Sequence, residues 1–212
     1  MTRSLERFST VDSLAGELRT RILDGELVAG MRLVERELVT DYDVARHTLR
    51  AALRVLSSEG LVELVPNRGA QVVSPRPGDL EELLELRTAL EVEAARLALA
   101  RDPEGLAAAL DEAVAALRAV CAADEPPWSQ VADAHAAVHL TIVESADSPR
   151  IASAYAGLTA ELRLLLVALR PVWALSRMVT HHEELARELF VRGPEALREH
   201  LADGAAAVVD GG

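Results

Sequence analysis

Residues 45–58 read ARHTLRAALRVLSS, and two stripes interleave along them. Leu49, Leu53 and Leu56 recur at helical spacing on one side, while Arg46, Arg50 and Arg54 recur every four residues on the other. A helix with an apolar back and a basic front suits the major groove of a DNA duplex. There Arg46, near the N-terminal end, reaches guanine O6 and N7, and Arg50 reads a base or grips phosphate. Alone, such a stripe more often marks a solvated charged face than a DNA-reading one. Its setting decides between the two. A short helix over Glu35 to Asp41 precedes it across the tight connection Tyr42-Asp43-Val44, which is the helix-turn-helix pattern. Gly60 stops the second helix, and beyond it Leu61 to Val65 and Ala70 to Val73 are short and rich in β-branched residues. Pro66, Asn67, Arg68 and Gly69 between them form a turn sequence, so the pair predicts a β-hairpin wing. Arg36 on the preceding helix and Arg68 at the wing tip are the expected outer contacts. Upstream, Leu14, Leu18 and Ile22 predict a first helix over Val11 to Asp24, closed by Gly25.

Pro75-Arg76-Pro77-Gly78 breaks regular structure, which places a linker at 75–78 between a first domain, 1–74, and a second, 79–212. From Asp79 onward the signals are helical: Asp79 to Ala100, Pro103 to Ala122, Trp128 to Ser145, Pro149 to about Arg170, Pro171 to Val191, and a last helix opened by Gly193-Pro194. The Ala-rich tail after Asp203 is expected to fray. The chain therefore reads as mainly α, a winged helix-turn-helix followed by an antiparallel six-helix bundle.

Composition narrows the partners. Half of the 212 residues are apolar and only 3% aromatic, enough to bury helical cores. All 22 basic residues are Arg. The net charge of −12 hides an asymmetry: residues 1–76 hold 11 Arg against 11 Asp and Glu, residues 77–212 hold 11 against 23. A neutral first domain can still bind DNA when its arginines share a face, because affinity follows the local field. Cys121 is the single cysteine, so no internal disulfide forms, a reducing cytoplasmic setting fits, and a buried inert thiol is expected. The N-terminus lacks the apolar core of a signal peptide, and the run Leu164 to Leu169 is too short to span a bilayer, so no membrane partner is expected.

His135 and His139 stand at i, i+4 in one expected helix, so both rings can face one point, and His182 and His200 fall in the last two helices. Such a pair points toward a metal centre more than a lone histidine does, and leaves open imidazoles that pack or line a pocket. A third chemistry, a hydrolytic zinc centre with Glu183 or Glu144 as base, is weakened by the lack of a His-Glu-x-x-His spacing.

Five stretches, LRTRILDGELVAG (18–30), LVEREL (33–38), RHTLRAAL (46–53), LSSEGLV (56–62) and NRGA (67–70), together resemble the GntR family of bacterial regulators across nearly all of residues 11–74. The resemblance implies DNA contacts at Arg36, Arg46, Arg50 and Gly69, with His47 at a contacting position that varies among members. Two positions depart from the family: Ala45 replaces a capping Ser or Thr, and Asp43 replaces a turn glycine. Residues 79–201 resemble the helical FCD effector domain of the FadR-like branch, with LRTALE (86–91) matching its opening helix and VHLTI (138–142) its central one. That resemblance implies a divalent metal held by His135, where relatives carry Asp, together with His139, His182 and His200, the last only after a deletion of about one helical turn beyond Gly193. Four neutral imidazoles favour Zn²⁺ or Ni²⁺ over Mn²⁺ or Mg²⁺ and leave the ion's charge for a small carboxylate effector to balance. Arg87 falls on an effector-contact position, although Glu91 at i+4 offers it a salt bridge instead. The implied whole is a homodimer on a pseudo-palindromic operator, controlled by a small organic acid through a metal-bearing or a metal-free pocket.

Overall fold

The stripe of leucines in residues 45–58 is the keystone of the first of two compact units, Met1–Pro75 and Arg76–Gly212. A computed structural model describes residues 10–65, 69–74, 78–170 and 173–210. In the first unit α1 (Thr10–Leu23), α2 (Glu35–Asp41) and α3 (Arg46–Ser58) follow the sequence reading within a residue. Leu49, Leu53 and Leu56 of α3 are at most 1% exposed, and α3 packs against α1, whose Leu18 and Ile22 are buried as well. Each such side chain contributes about 1.5–3 kcal/mol by leaving water. Arg19 of α1 donates to both carboxylate oxygens of Glu59, at 2.9 and 2.6 Å, fastening the two helices at the C-terminal end of α3.

The hairpin is present as β2 (Val62–Val65) and β3 (Gly69–Val72), antiparallel with Val62 opposite Val72 and Val65 opposite Gly69. A third strand goes beyond the expectation: β1 (Arg32–Leu33) pairs with β3, giving the order β1-β3-β2. Two residues are too short to show a period, and their pairing is set by the chain returning beside Ala70 and Gln71. Arg68, with Pro66 and Asn67, lies outside the described residues, as do linker residues 75–77.

In the second unit the helices are α4 (Asp79–Arg101), α5 (Pro103–Cys121), α6 (Trp128–Ser145), α7 (Pro149–Ala156), α8 (Thr159–Leu169), α9 (Leu175–Arg192) and α10 (Pro194–Asp210). Asp102 caps α5 by accepting from the Gly105 N–H at 2.9 Å, and Pro103 supplies the first helical residue. Three boundaries differ from expectation. The helix expected from Pro149 to Arg170 is two, because the Leu158 N–H bonds the Tyr155 carbonyl in an i→i+3 turn next to Gly157. The fifth expected helix begins at Leu175, after an extended Ala174, and the last runs through the Ala-rich tail to Asp210. Leu110 and Leu117 of α5, Val131, Val138 and Ile142 of α6, and Met178 and Leu189 of α9 form one core. No described helix is long and apolar enough to cross a membrane.

Candidate DNA-reading face and histidine cluster

On α3, burial of the leucines leaves Arg46, His47, Arg50 and Arg54 exposed together. Ala45 occupies the N-cap in extended conformation and makes no side-chain cap bond, as its departure from Ser or Thr implies. Asp43 takes φ +47°, a left-handed backbone that a glycine would adopt without strain. Arg50 is not idle: its Nε donates to the Glu35 carboxylate at 3.0 Å, across from α2. Arg36 is exposed on α2, and Gly69 at the start of β3 has φ +89° with open space where a Cβ would stand. Arg32, Arg50, Arg54 and Gly69 line one groove of about 600 Å³. Guanidinium groups around such a groove, beside a hairpin, can donate to phosphate oxygens and to base edges.

In the second unit α6, α9 and α10 bring imidazoles from distant parts of the chain to one buried place. Ring centroids of His135 and His139 are 4.9 Å apart, and His182 lies 4.7 Å from the first and 5.3 Å from the second. Nitrogens of these three fall within 4.8 Å of one another. His200 is 4.7 Å from His182 and 5.4 Å from His139, but its nearest ring is His181, stacked at 3.9 Å and 18°. Nitrogens of His181, His182 and His200 form a second close group.

Hydrogen bonds fix the tautomers of two rings. The His139 Nδ1 donates to Glu91 at 2.8 Å, and the His182 Nδ1 donates to the Met178 carbonyl at 2.8 Å. Burial pushes the imidazoles of His135, His139 and His200 well below their usual range and that of His182 to about 4, so the rings are neutral near pH 7. With both Nδ1 atoms protonated, the Nε2 atoms of His139 and His182 present lone pairs to each other at 3.2 Å. Two acceptors at that distance repel unless a cation lies between them. Around one tetrahedral ion with bonds of about 2.0–2.1 Å, two such nitrogens stand about 3.3 Å apart. The donor set therefore fits a divalent metal of the nitrogen-loving kind.

Behind the imidazoles sits a network that the sequence shows only in part. Glu91, fully buried, also accepts from the Arg87 Nε at 2.7 Å and from the Tyr155 hydroxyl at 2.7 Å. Burial raises the Tyr155 phenol well above its usual range, which keeps it a donor. The Arg87–Glu91 ion pair, one of two readings of the sequence, is thus formed, while Arg87 still lines a cavity of about 110 Å³ with His135, His139 and Leu162. Arg163 lines the same cavity, and its buried Nε has no hydrogen-bond partner among the described residues. Neither Tyr155 nor Arg163 carries a signal in the sequence, and His181 stands out there only as the neighbour of His182. Cys121 is half-buried, and burial raises its thiol, which keeps it in the unreactive form.

The chain matches the sequence profile of the bacterial regulatory proteins of the gntR family over residues 10–72 and that of the FCD domain over residues 82–205. It is 36% identical over 88 residues to the HTH-type transcriptional regulator BphR of Paraburkholderia xenovorans, a match covering 42% of this chain and 36% of that protein. The match thus spans about a third of that relative's length. It is 31% identical over 116 residues to an HTH-type transcriptional regulator from the TAR-I ttuE-ttuC' intergenic region of Agrobacterium vitis, covering 53% of this chain and 68% of that one. Among solved structures, a GntR transcriptional regulator from Rhodococcus sp. RHA1 superposes with a TM-score of 0.79 at 27% identity, covering 95% of this chain and 98% of that one.

Proposed function

The chain belongs to the gntR family of bacterial regulatory proteins and carries the FCD domain, and from that premise we propose that it is an operator-binding transcriptional regulator whose DNA affinity answers to a small carboxylate held beside a metal-bearing histidine cluster. Its family consists of regulators, not enzymes, so the hydrolytic reading of the histidines is set aside.

DNA is read by Arg46, His47 and Arg50 of α3, with Arg36, Gly69 and the wing's Arg68 as flanking contacts. The observation that carries this reading is the exposure of Arg46 and Arg50 on the face opposite the buried leucines of α3. A homodimer in the cytoplasm, presenting two such helices to a pseudo-palindrome, follows the family's habit and the two-fold symmetry of operator sites. In the second unit, His135, His139 and His182 would hold Zn²⁺ or Ni²⁺, with His200, whose ring lies 4.7 Å from that of His182, as the fourth ligand. When bound, the ion supplies a Lewis-acidic position for an anion. Arg87 and Arg163 on the cavity wall supply hydrogen bonds to that anion's oxygens. Because Glu91 already balances Arg87, a carboxylate effector still has the ion's charge to neutralise. The effector acts only through unequal affinity for DNA-competent and incompetent arrangements.

Fluorescence anisotropy with the chain's own upstream region tests the regulator. Arg46→Ala is expected to weaken specific binding by about 1–3 kcal/mol while leaving non-specific binding nearly intact. Equal loss on all sequences would remove the base-reading role. A metal-free pocket would have to leave the facing Nε2 lone pairs of His139 and His182 unrelieved. Negligible Zn²⁺ content in untagged protein after incubation and dialysis would support that second reading.

A further inference from the structure

The inner imidazoles are deeply buried, His139 at 1% exposed and His182 at none, so an ion bound by them would have to pass other groups first. One direction out passes through the cavity, whose wall carries Arg87 paired with Glu91 and Arg163 paired with Asp133. The other passes through His200, 6% exposed, to His181, whose side chain is 18% exposed, and on to Asp203, 76% exposed, with Nε2 of His181 3.9 Å from the Asp203 carboxylate.

Resting on the metal reading above, we propose that His181, His200 and Asp203 form an outer metal station through which the ion enters and leaves the buried centre. Three observations carry it. The nitrogens of His181, His182 and His200 lie within 4.8 Å of one another, so the outer group shares His182 with the inner one. Neighbouring residues on a helix diverge, yet His181 and His182 both converge on the His200 ring from α10. The Nδ1 atoms of His181 and His200 are both buried without a hydrogen-bond partner among the described residues. A pair kept only for packing gains nothing from two such atoms, and an apolar pair would fill the space without their desolvation.

The chemistry is stepwise ligand exchange. Asp203 draws the hydrated cation, a nitrogen of His181 displaces one water, and His200 displaces the next. His182 and His139 then take the ion as the bond to His181 breaks. Each new bond forms before the previous one is lost, so the ion never enters the interior bare, where its desolvation would be prohibitive. No proton or electron is consumed.

The test is stopped-flow Zn²⁺ uptake by the full chain, followed by release to a fluorescent chelator, with equilibrium affinity measured alongside. His181→Asn is expected to slow uptake and release together by about tenfold or more, as does loss of a focusing site, and to keep the dissociation constant within about threefold. Asp203→Asn, on the surface and without folding risk, is expected to slow uptake and flatten its salt dependence. Wild-type rates in both the His181 and Asp203 variants overturn the proposal, and so does a tenfold weaker affinity with unchanged uptake, which would make His181 a resident ligand. If the wild-type chain itself takes up no Zn²⁺, the metal reading falls first, and the station with it.

Discussion

Asp43 shows how a single residue records a compromise. Its φ of +47° is needed to turn the chain between α2 and α3, and a side chain with Cβ pays for that backbone in steric strain. Asp and Asn tolerate the region better than other residues, which is why the turn survives without glycine. Asp43→Gly is therefore expected to stabilise the protein by about 0.5–1 kcal/mol, the relief of strain outweighing the greater freedom of glycine in the unfolded chain. Chemical denaturation followed at the first unit checks it, and a loss of stability would mean that the carboxylate makes a compensating bond. Glu91 is a compromise of another kind. Its carboxylate accepts from three donors, on α4, α6 and α7, and so holds His139 in the tautomer that turns Nε2 toward His182. The sequence shows Glu91 as a partner for Arg87, because the pair is local at i+4. Its bonds to His139 and Tyr155 join residues 48 and 64 positions away, which no periodicity reports.

At the scale of elements, helices α6, α9 and α10 are each amphipathic and each directs imidazoles inward where apolar side chains would pack. The consequence is a pH-dependent stability. Burial lowers these rings from an ordinary value of 6.5, to about 4 for His182, so between those values the unfolded chain binds protons that the folded chain refuses. Stability is full above pH 6.5 and falls as pH drops toward 4, by up to about 1.4 kcal/mol per pH unit for each ring. Urea unfolding of the metal-free protein at pH 7.5, 6.0 and 5.0 is expected to show this decline in the second unit. A flat profile would mean that the rings are already charged or solvated. The same helices explain what the sequence could and could not disclose. Proline and Asp102 marks placed α5 and α6 nearly to the residue, since capping is local chemistry. The break between α7 and α8 has no proline and rests on one i→i+3 bond beside Gly157, so it was invisible. His181 was invisible as a participant for a related reason: its place beside His200 depends on how α9 and α10 pack, which neighbours in sequence do not encode.

For the whole molecule, the two units have separate cores, and every imidazole of the cluster belongs to the second. A ligand that binds the folded state alone stabilises what it binds, by about 2.7 kcal/mol when free metal exceeds its dissociation constant a hundredfold. That stabilisation must fall on the unit holding the ligands. Calorimetry of the full chain is therefore expected to resolve two transitions, with Zn²⁺ raising one by about 10 °C and chelator restoring it, while the other stays in place. If both rise together, the two units unfold as one cooperative body, and occupancy of the histidine cluster is then felt at α3 without any effector. That outcome has a reciprocal that can be measured independently. A metal or carboxylate that alters operator affinity by some factor must have its own affinity altered by operator DNA by the same factor. Titrating Zn²⁺ with and without bound operator thus reads the coupling directly. Equal affinities in the two titrations would assign the metal a structural role and leave the control of DNA binding to the carboxylate proposed for the Arg87 and Arg163 cavity.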